Sequence, residues 1–191
     1  MNKPSSSLGK TSKWLKVISN PSVTKIDKME IEILKKENTP SNVIDHCKAV
    51  YKKAMKIASN FDNADTELIR KGALLHDIGR SKTHGITHAI EGVEIARGYG
   101  YSEDVLNIIE RHIGAGITPE EAKKLGLPEK SYVPQTLEEK IVAHADNLIS
   151  GTEEVDIDFV ISKWKRTIED SDDNIERLIE LDNELIKSLE E

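Results

Sequence analysis

ALLHDIGR, residues 73–80, is an apolar helical run that ends in two adjacent metal-binding side chains, His76 and Asp77. Consecutive residues on a helix point about 100° apart. Both side chains can therefore contact one ion only if the ion lies between them, near the C-terminal end of the helix. Other segments must then supply ligands on the far side of the ion. Gly79 breaks the run, and we predict that it follows the helix in the left-handed conformation that favours glycine.

Other parts of the chain contain residues of the type needed to complete such a site. Histidine and carboxylate ligands suit a borderline divalent transition metal such as Fe, Mn, Co, Ni or Zn. The candidates are scattered, unlike the closely spaced ligands of a zinc finger, so spacing alone is a weak signal. They are His46, His88, His112 and Asp146.

Each candidate lies in or beside a segment with helical periodicity. His46 falls on the apolar stripe of a predicted helix over 42–59, where a lone histidine is more often a hydrogen-bonded core residue than a ligand. Asp146 lies at the edge of the buried face of a helix predicted to run to about Ser150 and to end at Gly151. No alternating apolar pattern predicts a strand, so we expect an all-α fold.

The series His46, His76-Asp77 and Asp146 resembles the signature of the HD superfamily of metal-dependent phosphohydrolases, in its HDIG form. The segments around His88 and His112 resemble those that supply a second metal site in binuclear members such as the diadenosine tetraphosphate hydrolases. The whole chain resembles small archaeal HD-domain proteins. This resemblance implies an HD-domain helical bundle, here with additional N- and C-terminal helices.

The resemblance also implies a site and a reaction. A first ion would be held by His46, His76, Asp77 and Asp146, and a second by His88 and His112, with Asp77 bridging the two. The reaction is attack of metal-bound hydroxide on phosphorus. The expected catalytic residues are Asp77, Arg80 and His84, and the expected phosphate contacts are Arg80, Lys82 and Arg111.

Two assignments stay open between neighbouring histidines. His84 and His88 are four residues apart, so both reach one metal if the segment is helical; if His84 lies in a loop, it contacts substrate or protonates the leaving oxygen. His88 matches the family position and is the preferred ligand. His144 points to a different side of its helix from Asp146, so we interpret it as structural or as a support for the ligands.

The leading hypothesis is a phosphomonoesterase or phosphodiesterase that acts on a nucleotide or a similar small phosphate. The alternatives are a non-hydrolytic sensor that binds a nucleotide at the metal pocket and, less favoured, a di-iron oxygenase. The chain has no HHExxxGxGYP-like segment, which argues against the cyclic-di-GMP phosphodiesterase subclass.

Composition limits the remaining expectations. The chain has 191 residues and a net charge of −7, with 4% aromatic residues. These values argue against an extended nucleic-acid surface but allow a local basic pocket. The single cysteine, Cys47, fits a reducing cytoplasm, and no apolar run is long enough for a membrane span.

The predicted organisation has three parts. Residues 1–25 are a tail with a short helix, residues 26–151 form the HD domain, and residues 152–191 form a helical extension packed on that domain. The extension has apolar stripes that are also suited to a homodimer contact.

Overall fold

Helices carry nearly all of the regular structure in the computed structural model, which describes residues 21–168 and 171–186. Within these residues the strands form one short antiparallel hairpin, β1 (Ile149–Ser150) with β2 (Glu153–Glu154), so the all-α prediction is confirmed. The helices are α1 (Pro21–Lys36), α2 (Ser41–Ala58), α3 (Thr66–Leu75), a 3-10 helix (Ile78–Ser81), α4 (His88–Gly98), α5 (Glu103–Arg111), α6 (Pro119–Lys124), α7 (Leu137–Asn147), α8 (Ile157–Thr167) and α9 (Asp172–Leu185).

The central core lies between α2, α3, α5 and α7. Each of these helices has an apolar stripe at three- and four-residue spacing, and packing the stripes together removes them from water. The shared cluster includes Val50, Ala54, Ile69, Ile108 and Ile141, each at most 1% exposed. This packing fixes the positions of the four helices that carry or precede His46, His76, Asp77, His112 and Asp146.

Capping side chains set where several helices begin. Asp65 accepts hydrogen bonds from the backbone N–H groups of Glu67 and Leu68 at the start of α3. Thr118 and Glu121 form a full capping box before α6. Such caps satisfy N–H groups that have no partner inside the helix.

Two local predictions are wrong. Gly79 does not have a positive φ; it lies inside the 3-10 helix. Its Cα approaches α4 so closely that an added Cβ would lie 1.9 Å from the His88 carbonyl oxygen. The helix predicted to reach Ser150 ends at Asn147, and the β1–β2 hairpin follows, with Gly151 at φ +64° in its turn.

The flanking helices pack on this core through apolar and ionic contacts. On the N-terminal side, Glu30 of α1 is buried and pairs with Arg70 of α3 at 2.7 Å. On the C-terminal side, Trp164 and Leu178 share a cluster with Leu148. The predicted short helix near residues 14–18 lies outside the described residues.

Among the described helices, none combines the length and the apolar character needed to cross a bilayer.

Candidate metal centre

Six side chains from five segments meet at one end of the core. His46 comes from α2, His76 and Asp77 follow α3, His88 begins α4, His112 follows α5, and Asp146 comes from α7. Neighbouring imidazole centroids are 4.8–5.3 Å apart along the series His46, His76, His112, His88. His46 Nε2 lies 2.8 Å from Asp146 Oδ1. All the predicted metal ligands are therefore close together.

The four histidines share one hydrogen-bonding arrangement. In each, Nδ1 lies within 2.7–2.8 Å of a backbone carbonyl oxygen, and Nε2 is directed to the other ligand candidates. An imidazole that donates from Nδ1 to a carbonyl carries its lone pair on Nε2, the form that binds a metal. The carbonyls belong to Gly151, Ala73, Gly85 and Ile109, for His46, His76, His88 and His112 respectively.

Two donor groups of three residues have a geometry suitable for a metal ion. One consists of His46, His76 and Asp146, and the other of His76, Asp77 and His112; within each group the donor atoms lie within 4.8 Å of one another. His76 Nε2 and Asp77 Oδ1 are buried and make no hydrogen bond. Leaving such atoms without a partner costs free energy, and coordination to a cation removes that cost.

A third arrangement brings in His88. Its Nε2 lies 3.0 Å from His112 Nε2 and 3.1 Å from Asp77 Oδ1, and His112 Nε2 lies 3.5 Å from the same oxygen. Ligands about 2.0–2.1 Å from a tetrahedral ion lie roughly 3.3 Å from one another. The triangle formed by Asp77, His88 and His112 therefore has the size of one face of a metal site.

The electrostatics of the cluster favour anionic carboxylates. Burial raises the pKa values of Asp77 and Asp146, but the surrounding histidines outweigh burial and hold both well below the ordinary range. Burial lowers the pKa of His112, which keeps its ring neutral. Burial also lowers the pKa of His76, but Cys47, Asp77 and Asp146 outweigh it and raise that pKa well above its ordinary value. A cation at this position would take the place of the His76 proton.

The centre reaches solvent at one edge. The side chains of His76, Asp77, His88 and His112 are at most 6% exposed, whereas those of His46 and Asp146 are 17% and 21% exposed. His46 of α2 and Asp146 of α7 are therefore the ligand candidates most accessible to solvent.

The remaining predicted site residues, which are not metal ligands, differ in their contacts and in their relation to the ligand cluster. Arg80 donates from Nε to Asp77 Oδ2 at 2.6 Å, so its charge lies beside the cluster. Arg111 contacts both carboxylate oxygens of Glu139, at 2.9 and 3.0 Å. Lys82 is exposed and lies 4.0 Å from Glu37. His84 is exposed, and its backbone carbonyl lies 3.4 Å from Arg80 Nη1.

Other contacts in the site were not predicted from the sequence. The Gly151 carbonyl orients His46, and the fully buried Cys47 lies against His76. His144 pairs with Asp182 of α9 at 3.1 Å, away from the ligand cluster, which agrees with its structural interpretation. The adjacency of Cys47 to His46 was a usable signal for the thiol, but the hairpin that supplies Gly151 has no strand pattern.

Comparisons with known proteins agree on the fold. The protein family described as the HD domain matches residues 43–151. The uncharacterized protein MJ0778 of Methanocaldococcus jannaschii is 54% identical over 148 residues, which cover 75% of this chain and 88% of that protein. The HD domain of the phosphodiesterase PgpH from L. monocytogenes, solved in complex with cyclic-di-AMP, aligns at a TM-score of 0.52 and 19% identity, over 83% of this chain and 95% of that one.

A further relative is much longer than the matched region. The tRNA (cytidine(56)-2'-O)-methyltransferase of Picrophilus torridus is 51% identical over 133 residues. The match covers 70% of this chain but only 39% of the methyltransferase. This chain thus corresponds to less than half of that protein.

Proposed function

The chain belongs to the HD-domain family, as its motif predicted, and from this premise we propose that it is a metal-dependent phosphohydrolase. The proposed substrate is a nucleotide or a similar small phosphate, and the bond cleaved is a phosphate ester or anhydride. The reaction is attack of water on phosphorus, with Asp77 at the middle of the site.

The shared hydrogen-bonding arrangement of the four histidines is the observation that carries the proposal. All four Nε2 atoms are directed to the two carboxylates, and each Nδ1 contacts a backbone carbonyl. We propose that this donor set holds two divalent transition-metal ions, one at His46, His76, Asp77 and Asp146 and one at Asp77, His88 and His112. Such ions supply Lewis-acid stabilisation of phosphate oxygens and lower the pKa of bound water.

Arg80 is the side chain best placed to contact the reacting phosphate. It pairs with Asp77 Oδ2 and so lies at the ligand cluster, and its two hydrogen bonds use two of the five N–H donors of a guanidinium. Its remaining donors suit charge that develops on the phosphate oxygens. Arg111 is engaged with Glu139, and Lys82 lies toward Glu37, so phosphate contacts from these two remain predictions.

The relatives support a nucleotide-type substrate. The PgpH domain of L. monocytogenes is named a phosphodiesterase and was solved in complex with cyclic-di-AMP. The Picrophilus torridus relative is named for action on tRNA. Both names concern ligands with phosphodiester groups, and we carry that chemical class, and no particular compound, to this chain.

A phosphate-release screen on metal-free protein reloaded without oxygen tests the proposal. Mn, Fe, Co, Ni and Zn are each added, with nucleotides, cyclic phosphates, dinucleoside polyphosphates and bis(p-nitrophenyl) phosphate as substrates. We expect metal-dependent turnover that Asp77→Asn lowers by more than about 100-fold, because it removes a ligand. The matched control Asp158→Asn changes an exposed residue and should retain turnover.

The same preparations separate the alternative functions. Nucleotide binding without turnover under any metal would contradict hydrolysis and favour a sensor. Metal-dependent consumption of dioxygen without phosphate release would favour an oxygenase.

A further inference from the structure

A cleft of about 420 Å³ lies between α2 and the β1–β2 hairpin. Its lining carries four lysines and two carboxylates, Asp45 and Glu154, an excess of two positive charges in a chain whose net charge is −7. The cleft is therefore a locally basic region of an otherwise acidic molecule, which favours an anionic ligand. The lysines are Lys48, Lys52, Lys53 and Lys56.

The outer lysines are available to an incoming anion. Lys48 pairs with Asp45 at 2.8 Å and is 46% exposed; Lys56 lies 3.8 Å from Glu154 and is 69% exposed. Exposed ion pairs contribute little to stability, so a phosphate can replace the carboxylate at low cost. Lys53 differs, because it is largely buried and holds Glu154 in the wall of the cleft.

The cleft adjoins the exposed edge of the metal centre. Ala49 and Lys53 line the cleft and lie three and seven residues after His46, which places them on the same face of α2 as this ligand candidate. Thr152, on the other wall, follows Gly151, whose carbonyl contacts His46 Nδ1. The cleft therefore lies beside the segments that position His46, although His46 itself does not line it.

The spacing of the lysines suits a row of phosphates. Lys48, Lys52 and Lys56 follow one another at four-residue intervals, a rise of about 6 Å each and about 12 Å in all. This interval is comparable to the separation of successive phosphates along an extended nucleic-acid strand. No lining residue is aromatic, so the cleft offers charge without a surface on which bases stack.

We propose that the α2 lysine cleft binds the sugar-phosphate backbone of a single-stranded oligonucleotide, about three phosphates long and without sequence preference. That the strand leads toward the metal centre, and so supplies its substrate, rests on the proposed phosphohydrolase function. Binding in the cleft itself does not depend on that function, because the lysines are present without metal or catalysis.

Fluorescence anisotropy with a labelled single-stranded RNA octamer, on the metal-free 191-residue chain in EDTA, tests binding separately from hydrolysis. The triple variant Lys48→Gln/Lys52→Gln/Lys56→Gln should bind at least about tenfold more weakly. The slope of log affinity against log salt should also fall in magnitude by about two, since each phosphate contact on a single strand contributes about 0.7. The control triple variant Lys35→Gln/Lys123→Gln/Lys124→Gln has the same charge change at exposed positions outside the cleft and should bind as the wild type does.

A second variant tests the proposal by strengthening octamer binding, so its result does not depend on a loss of affinity. Asp45→Asn removes an exposed carboxylate from the cleft and should tighten octamer binding. Unchanged affinity and salt slope in the cleft triple variant, or equal weakening in the control triple, would overturn the proposal. The proposal would also be overturned if AMP displaced the labelled octamer as effectively as unlabelled octamer does, at equal phosphate concentration. Octamer binding that needs the lysines, in a protein without phosphate release on any substrate, would support the cleft and contradict the phosphohydrolase.

Discussion

His76 and His112 each occupy the C-cap position of a core helix, α3 and α5. The last carbonyls of a helix have no partner within the helix. Each ring contacts such a carbonyl three residues earlier, at Ala73 and Ile109, and its Nε2 is directed into the centre. The orientation of these two ligand candidates is therefore a local consequence of where each helix ends.

His88 and His84, which the sequence left as alternative metal ligands, differ in burial and in their contacts. His88 is buried, with Nε2 3.1 Å from Asp77 Oδ1, whereas His84 is exposed. We expect His88→Ala to lower the metal content by about one ion per chain and His84→Ala to retain the wild-type content, both measured by elemental analysis. Loss of metal in His84→Ala with retention in His88→Ala would reverse the assignment.

The sequence predicted the residue types of the site better than their pairing. The candidate ligands were recognisable because His76 and Asp77 are adjacent, His46 and Asp146 flank them as in the HD signature, and His88 and His112 match the segments that supply a second metal site. The engagement of Arg111 with Glu139 was not predictable, because these residues are 28 positions apart and meet only when α5 packs against α7. For the same reason the sequence did not reveal that Lys82 lies near Glu37.

At the scale of elements, the contact between the 3-10 helix and α4 positions Asp77 relative to His88. A Cβ at Gly79 would lie 1.9 Å from the His88 carbonyl oxygen and 2.5 Å from the Gly92 backbone nitrogen. We expect Gly79→Ala to lower the free energy of unfolding by about 1–3 kcal/mol, because the two backbones must separate. Denaturant unfolding measures this change, and metal content should fall with it.

Gly85→Ala is the matched control for this substitution. Its added Cβ would meet only the Thr83 hydroxyl, at 3.6 Å, an ordinary contact. We expect its free energy of unfolding to lie within about 0.5 kcal/mol of the wild-type value. Equal stability of the two variants would show that close backbone approach at Gly79 is not what requires glycine.

The β1–β2 hairpin is the element that sequence patterns could not predict. Its strands have two residues each, too few for an alternating pattern to stand out, and the helical periodicity before them continued to Ser150. Gly151 is the available sequence signal, but a glycine after a helical run also indicates a helix end, and only the structure shows that its positive φ belongs to a hairpin turn. The difference matters because the Gly151 carbonyl orients His46.

At the scale of the whole molecule, the C-terminal helix α9 is attached to the core by charge as well as by apolar contacts. Glu121 of the α6 capping box pairs with Arg177 of α9 at 2.7 Å. Leu178 and Leu185 of α9 are fully buried within the chain. The stripe that suggested a homodimer contact is thus largely covered by the chain itself, and a dimer through these helices stays a prediction.

This attachment predicts a pH dependence of stability. Burial raises the pKa of Glu121, but hydrogen bonds from the Thr118 backbone and from Arg177 outweigh it, so the folded-state pKa is below its ordinary value of 4.5. The stabilisation is therefore fully present above about pH 4.5 and is lost as the pH falls through the lower folded-state value. In the wild type, the free energy of unfolding should decline between about pH 5 and pH 3, and Glu121→Gln should make this decline smaller. The difference between the two declines should be less than about 1 kcal/mol, because the pair is partly exposed.

Chemical unfolding across that pH range measures the effect. Glu120→Gln, an exposed position on the same helix, serves as the control and should follow the wild-type curve. A Glu121→Gln curve parallel to the wild type would mean that the pair with Arg177 does not stabilise the docked helix.

The metal content of protein purified without oxygen tests the central claim most directly. Asp77 lies 3.1–3.7 Å from the Nε2 atoms of His76, His88 and His112, and we propose it as the carboxylate shared by both ions. We predict about two ions per chain in the wild type, about one in His112→Ala and only traces in Asp77→Asn. Wild-type metal content in Asp77→Asn would contradict the claim that these six side chains form one metal centre.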